Sequence, residues 1–207
     1  MELEWEAVTR FALFLLAAGC ISAQQRPNGL YAIFNTSMGN ITARLYEKDT
    51  PKTVENFVAL AQGTRATRDP KTGTMVKVPF YDNITFHRVL PGVMIQAGNP
   101  AGTAPYNCGF TIRDELLPGL WFNDAGKLAM ANTGAPDSAG CQFFITTNPV
   151  REWNGKYTIF GVVVEGQDVA SKISHAPVRG DRPVDPVKLI SVTIERIGPE
   201  PVNKRKK

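Results

Sequence analysis

Eight short runs rich in β-branched and aromatic residues, with helical periodicity in only two places, leave few folds open to this chain. Residues 30–46, LYAIFNTSMGNITARLY, hold two of the runs around the turn signal Met38-Gly39-Asn40. The other six lie at 84–90, 93–97, 127–131, 142–147, 158–164 and 188–196. Between them, TPKTVENFVALAQG reads as a helix. Thr50 suits its N-cap and Pro51 its first position, Val54, Phe57, Val58 and Ala61 share one face, and Gly63 is a stop. GQDVASKISHAP supplies the second helix, ended by Pro177, and polar residues 64–79 read as a loop. Helices do not alternate with strands, so a doubly wound parallel sheet is excluded. The pattern predicts a mainly β fold, an eight-stranded antiparallel closed barrel with two capping α-helices.

A 207-residue chain with 43% hydrophobic and 20% charged residues is neither disordered nor membrane-spanning in composition, and it suits one domain, placed at 29–198. The first 23 residues read as a leader: Arg10, an apolar run from Phe11 to Gly19 too short to span a bilayer, then small residues. Cleavage after Ala23 and lipid attachment at Cys20 in LAAGC are both open, although Glu2, Glu4 and Glu6 make the opening unusually acidic. Residues 24–28 read as a linker and 199–207 as a disordered basic tail. Without the leader's three Glu and one Arg the net charge rises from +4 to +6, and the last four residues alone supply +4 of it. The basic character is thus mostly a tail, and no interleaving of aromatics and cations suggests a nucleic-acid surface.

Cysteine usage fits export. If Cys20 leaves with the leader or carries a lipid, Cys108 and Cys141 remain, either as a disulfide closing a 34-residue loop or as two separate buried thiols. With no CxxC, no His/Cys cluster and only two His, neither a metal nor another cofactor is expected.

FHRVLPGVMIQAGNP, residues 86–100, places a guanidinium and an amide among strand-forming residues. A buried unpaired charge is strongly unfavourable, so a cleft is implied. Alternate strand residues share a face, which points Phe86 with Arg88, Met94 with Gln96, and Val93 with Ile95 the other way. Pairing across Pro91-Gly92 would gather the first four on one outer surface, while His87 points away and reads as packing. In LAMANTGAPDSAGCQFFITT, Asn132 precedes a polar loop, Gln142 opens a strand, and Phe143 and Phe144 must face opposite sides. Trp153 and Tyr157 bracket a later turn.

FHRVLPGVMIQAGNP, MAN at 130–132, QFFI at 142–145 and NGKYTIFG at 154–161 together resemble the cyclophilins, a family of peptidyl-prolyl cis-trans isomerases, from about Gly29 to Ile197. The resemblance implies the same barrel and an enzyme that speeds X–Pro rotation in proline-containing polypeptides, which the leader makes an exported, bacterial one, periplasmic or secreted. It makes Arg88 the catalytic guanidinium and Gln96 and Asn132 the groups that bond the substrate backbone. Met94 and Phe144 become walls of a proline pocket, with Phe86, Val93, Ala131, Thr133, Gln142, Trp153 and Tyr157 around it. Four departures stand out. Val93 replaces a usual Phe, which predicts a wider pocket, and Glu152 and Trp153 stand where Trp and Leu are common. Tyr157 replaces a frequent His, and GTAPYNCG keeps little of a glycine run. Weak cyclosporin binding follows, and a Cys108–Cys141 bridge would stiffen the pocket for the residue before proline. No coiled-coil or interface signal appears, so a monomer is expected. A non-catalytic prolyl-peptide binding module or chaperone using the same groove is the competing reading.

Overall fold

The computed structural model describes residues 26–102 and 106–200, so the leader, Cys20 and the last seven residues lie outside it. The first hairpin forms as its turn signal predicts, β1 (Gly29–Thr36) pairing with β2 (Gly39–Leu45). Helix α1 (Pro51–Ala61) begins at the expected proline and buries Val54, Phe57, Leu60 and Ala61. Thr50 does not cap it through its side chain. Glu115 does so instead, accepting from Lys52 N at 3.2 Å, Thr53 N at 2.8 Å and the Thr53 hydroxyl at 2.7 Å. A carboxylate there satisfies orphan N–H groups and suits the positive end of the helix.

The polar stretch after α1 is not wholly loop, since β3 (Thr67–Arg68) and β4 (Met75–Val76) make a small separate hairpin. There follow β5 (Ile84–Thr85), β6 (Arg88–Leu90), β7 (Met94–Ala97), β8 (Lys127–Met130), β9 (Phe143–Thr146) and β10 (Ile159–Glu165). Helix α2 (Gln167–Ser174), the hairpin β11 (Val178–Arg179) and β12 (Arg182–Pro183), and β13 (Lys188–Ile197) complete the chain.

Nine strands form one antiparallel sheet in the order β5-β13-β1-β2-β10-β8-β9-β7-β6. The ninth arises because segment 84–90, expected as one strand, breaks at Phe86-His87, and its halves take the sheet's two edges. The sheet therefore curls until its edges meet through two covalently linked residues, with no ladder between β5 and β6. Its concave side holds an aromatic core in which Phe57 lies 5.0–5.9 Å from the rings of Phe34, Tyr81, Phe143 and Phe160.

That break overturns one expectation. Phe86 is 1% exposed and belongs to the interior core, not to a groove wall beside Arg88. Alternation does not carry across an interruption between strands, so Phe86 turns inward while Arg88 stays exposed.

Candidate active site

Strand registers lay the outer-face residues in one line. Arg88 stands opposite Gln96, Gln96 opposite Phe144, Phe144 opposite Ala129, and Ala129 opposite Ile159. Directly paired residues share a face. The line therefore runs from a guanidinium at the sheet edge to an apolar floor.

The floor is a cluster distinct from the core, comprising Met94, Phe122, Ala129, Phe144, Val150 and Ile159. Phe143, one residue before Phe144, belongs to the core, as strict alternation requires. Val93 packs against the outer cluster with Met94 rather than facing inward, because it lies in the turn before β7. Trp153 and Tyr157 pack against the same cluster as Val93. They set their ring edges against Phe144 at centroid distances of 5.3 and 5.2 Å, and Phe144 is only 3% exposed. Phe122, which stacks on Phe144 at 5.9 Å, was missed from the sequence. It sits in the long segment between β7 and β8, where neither period applies.

The polar half is a chain of hydrogen bonds. Gln142 Oε1 accepts from Gln96 Nε2 at 2.9 Å and meets His87 Nε2 at 3.1 Å. An amide oxygen only accepts, so Nε2 is the protonated nitrogen of His87. Gln96 Oε1 accepts from Arg88 Nη1 at 3.4 Å, and Asp181 Oδ2 accepts from Arg88 Nε at 3.0 Å. His87 is buried, as packing requires, yet it also anchors this network. Asp181 was not legible, because it lies 93 residues from its partner.

Next to the network opens a cavity of about 380 Å³, lined by Gln96, Cys108, Ala131, Asn132, Thr133 and Gln142 among others. The side chain of Asn132 is already engaged, its amide donating to Lys156 O at 2.9 Å and its oxygen accepting from Gly134 N at 3.1 Å. Cys108 and Cys141 also border this cavity as buried free thiols, so of the two readings left open the structure shows the unbridged one. Nor are they separate. Their mutual hydrogen bond is the main influence holding Cys108 below the usual thiol range, whereas burial pushes Cys141 well above it. Among the described residues, no three His, Cys, Asp or Glu side chains gather as metal ligands, and no helix is long and apolar enough to cross a membrane.

Residues 31–194 match the family model described as "Cyclophilin type peptidyl-prolyl cis-trans isomerase/CLD". The chain belongs to the cyclophilin family. Among its cyclophilin relatives, peptidyl-prolyl cis-trans isomerase B of Streptomyces anulatus is 43% identical over 170 residues, 80% of this chain and 97% of the relative. Peptidyl-prolyl cis-trans isomerase A of Mycobacterium tuberculosis is 44% identical over 166 residues, 79% of this chain and 91% of the relative. A Cryptosporidium parvum cyclophilin superposes with a TM-score of 0.70 at 28% identity, covering 81% of this chain and 98% of its own. The same Cryptosporidium parvum cyclophilin solved in the presence of the dipeptide ala-pro also gives a TM-score of 0.70, at 27% identity with 81% and 99% coverage.

Proposed function

We propose that this cyclophilin isomerises X–Pro bonds on its outer face, with the proline ring against Met94, Phe144 and their aromatic neighbours and Arg88 as the catalytic group. The observation that carries the reading is the register that lines up Arg88, Gln96 and Phe144. Amide resonance sets a rotation barrier of roughly 18–20 kcal/mol, and uncatalysed exchange takes about 10–100 s. Reaching milliseconds needs a gain of about 10⁴–10⁵, or roughly 5.5–7 kcal/mol.

The chemistry needs neither nucleophile nor metal. As the bond twists, the proline nitrogen loses conjugation and gains a lone pair. A guanidinium donates to that lone pair only in the twisted state, so the interaction favours the transition state over the planar ground states. Gln96 then holds the flanking chain. Since the Asn132 side chain is engaged by Lys156 O and Gly134 N, that residue offers its main chain to substrate instead. Arg88→Lys loses the planar fork and should be nearly as damaging as Arg88→Ala.

A protease-coupled assay on an X–Pro peptide tests the assignment. Arg88→Ala should abolish most of the acceleration while leaving the fold intact. Full activity in that variant would remove Arg88 from the mechanism, and a wild-type protein that binds the peptide without speeding exchange would be a prolyl-binding module.

The further readings share this basis. Glu152 in place of a frequent Trp, with Trp153 crowding Phe144, supports weak cyclosporin binding, which a competition titration measures. Residues 1–23 support export, and intact mass of the mature protein separates a chain starting at Gln24 from one lipidated at Cys20 or unprocessed. Under an oxidising thiol–disulfide couple, the facing Cys108 and Cys141 would bridge, and a mass 2 Da lower would reveal it. Sedimentation tests the expected monomer.

A further inference from the structure

Strand β6 is an edge of the sheet, yet its outer side is not bare. The hairpin β11–β12 turns through two residues, Gly180 and Asp181, between the paired Arg179 and Arg182. Gly180 has φ of +69°, a conformation that favours glycine and lets so short a turn close. The base of the hairpin is tied by Val184 N donating to Pro177 O at 2.8 Å. Its tip then makes two bonds to consecutive residues of β6. Asp181 O accepts from Val89 N at 2.6 Å, and Asp181 Oδ2 accepts from Arg88 Nε at 3.0 Å. Arg182 anchors the other flank by donating to Gly102 O.

We infer that Asp181 is a positioning residue for Arg88, holding the guanidinium by Nε so that its terminal nitrogens stand over the proline nitrogen. This rests on the catalytic reading of Arg88. The Arg88 and Asp181 side chains are 45% and 54% exposed, and such pairs add little to stability, so holding the fold together does not explain the contact. Arg88 is a long side chain with many rotamers. Its Nη1 contact to Gln96 is long at 3.4 Å, so the Nε contact is the tighter of the two that fix its plane. Misplacing a catalytic group by about 1 Å can lower a rate by about 10²-fold. Asp181 acts on where Arg88 stands, not on substrate affinity, and the effect belongs in kcat.

Steady-state isomerase kinetics on Asp181→Ala, Asp181→Asn, Arg88→Ala and the double variant Arg88→Ala/Asp181→Ala test this. Asp181→Ala should lower kcat by about tenfold with KM and thermal midpoint unchanged, less than the about 10²-fold that a full 1 Å misplacement can cause. Asp181→Asn keeps an oxygen acceptor and should recover to within about twofold, since a neutral acceptor still fixes the fork. On the Arg88→Ala background, loss of Asp181 should change nothing further. The inference is overturned if Asp181→Ala matches wild type, if Asp181→Asn is as poor as Asp181→Ala, or if the alanine loss persists without Arg88. Arg88→Ala at full activity would instead remove the catalytic reading, and this inference with it. The two failures are therefore distinguishable.

Discussion

His87 is 7% exposed and bonded through Nε2 to Gln142, the residue that also holds Gln96. Burial holds its imidazole below the ordinary histidine value. The Gln142 bond opposes this, while Arg182 and Arg88 add to the lowering. A base whose folded-state pKa is depressed stabilises the fold fully above the unfolded value of about 6.5 and loses that contribution as pH falls below it. Urea midpoints at pH 7.5 and 5.5 should therefore drop more for wild type than for His87→Gln. Equal drops would mean that His87 does not titrate differently on unfolding. At this scale the sequence was readable where strand alternation holds: Gln96 and Phe144 lie where it puts them. It was unreadable at Phe86 and Val93, each just outside a strand, and at Asp181, whose partner is set by tertiary folding alone.

Helix α1 shows the same limit one level up. Its start, apolar face and glycine stop are local signals and were legible, but its cap was not. Thr50 is buried with its hydroxyl directed back to Tyr46 O at 3.3 Å, and the capping oxygens come from Glu115, 62 residues beyond Thr53. Removing a cap lowers stability by about 0.5–2 kcal/mol. Glu115→Ala removes the acceptor of three bonds at once, so its effect should lie in the upper half of that range. Thr50→Ala should have a smaller one. Guanidinium unfolding of both variants checks the order, and a Thr50→Ala loss exceeding that of Glu115→Ala would restore the local cap. The hairpin, both helices and the antiparallel class were visible for the same reason as the start of α1, because each depends on neighbours in the chain. The split of segment 84–90 and the β3–β4 hairpin were not, because pieces of two or three residues carry no period.

Closure is a property of the whole chain. Strand β13 lies between β5 and β1, pairing with β1 from Gly29↔Ile197 to Thr36↔Leu189 and with β5 through Lys188 and Leu189. The two ends of the domain are thus joined side by side, one strand in from the β5 edge, and the edge segment 84–90 reaches that side of the sheet only through β13. Leu189 is fully buried and Val192 is 6% exposed, each contributing about 1.5–3 kcal/mol. The ladder to β1 and the partner of β5 would go with them. A domain of this size has a net stability of only about 5–15 kcal/mol. Ending the chain at Val187 should therefore remove cooperative folding rather than lower a midpoint. Near-ultraviolet circular dichroism during heating measures this: a sigmoidal transition is expected for the full chain and none for the shortened one. A cooperative transition in the shortened chain would mean that the curled sheet holds without the strand that links its ends.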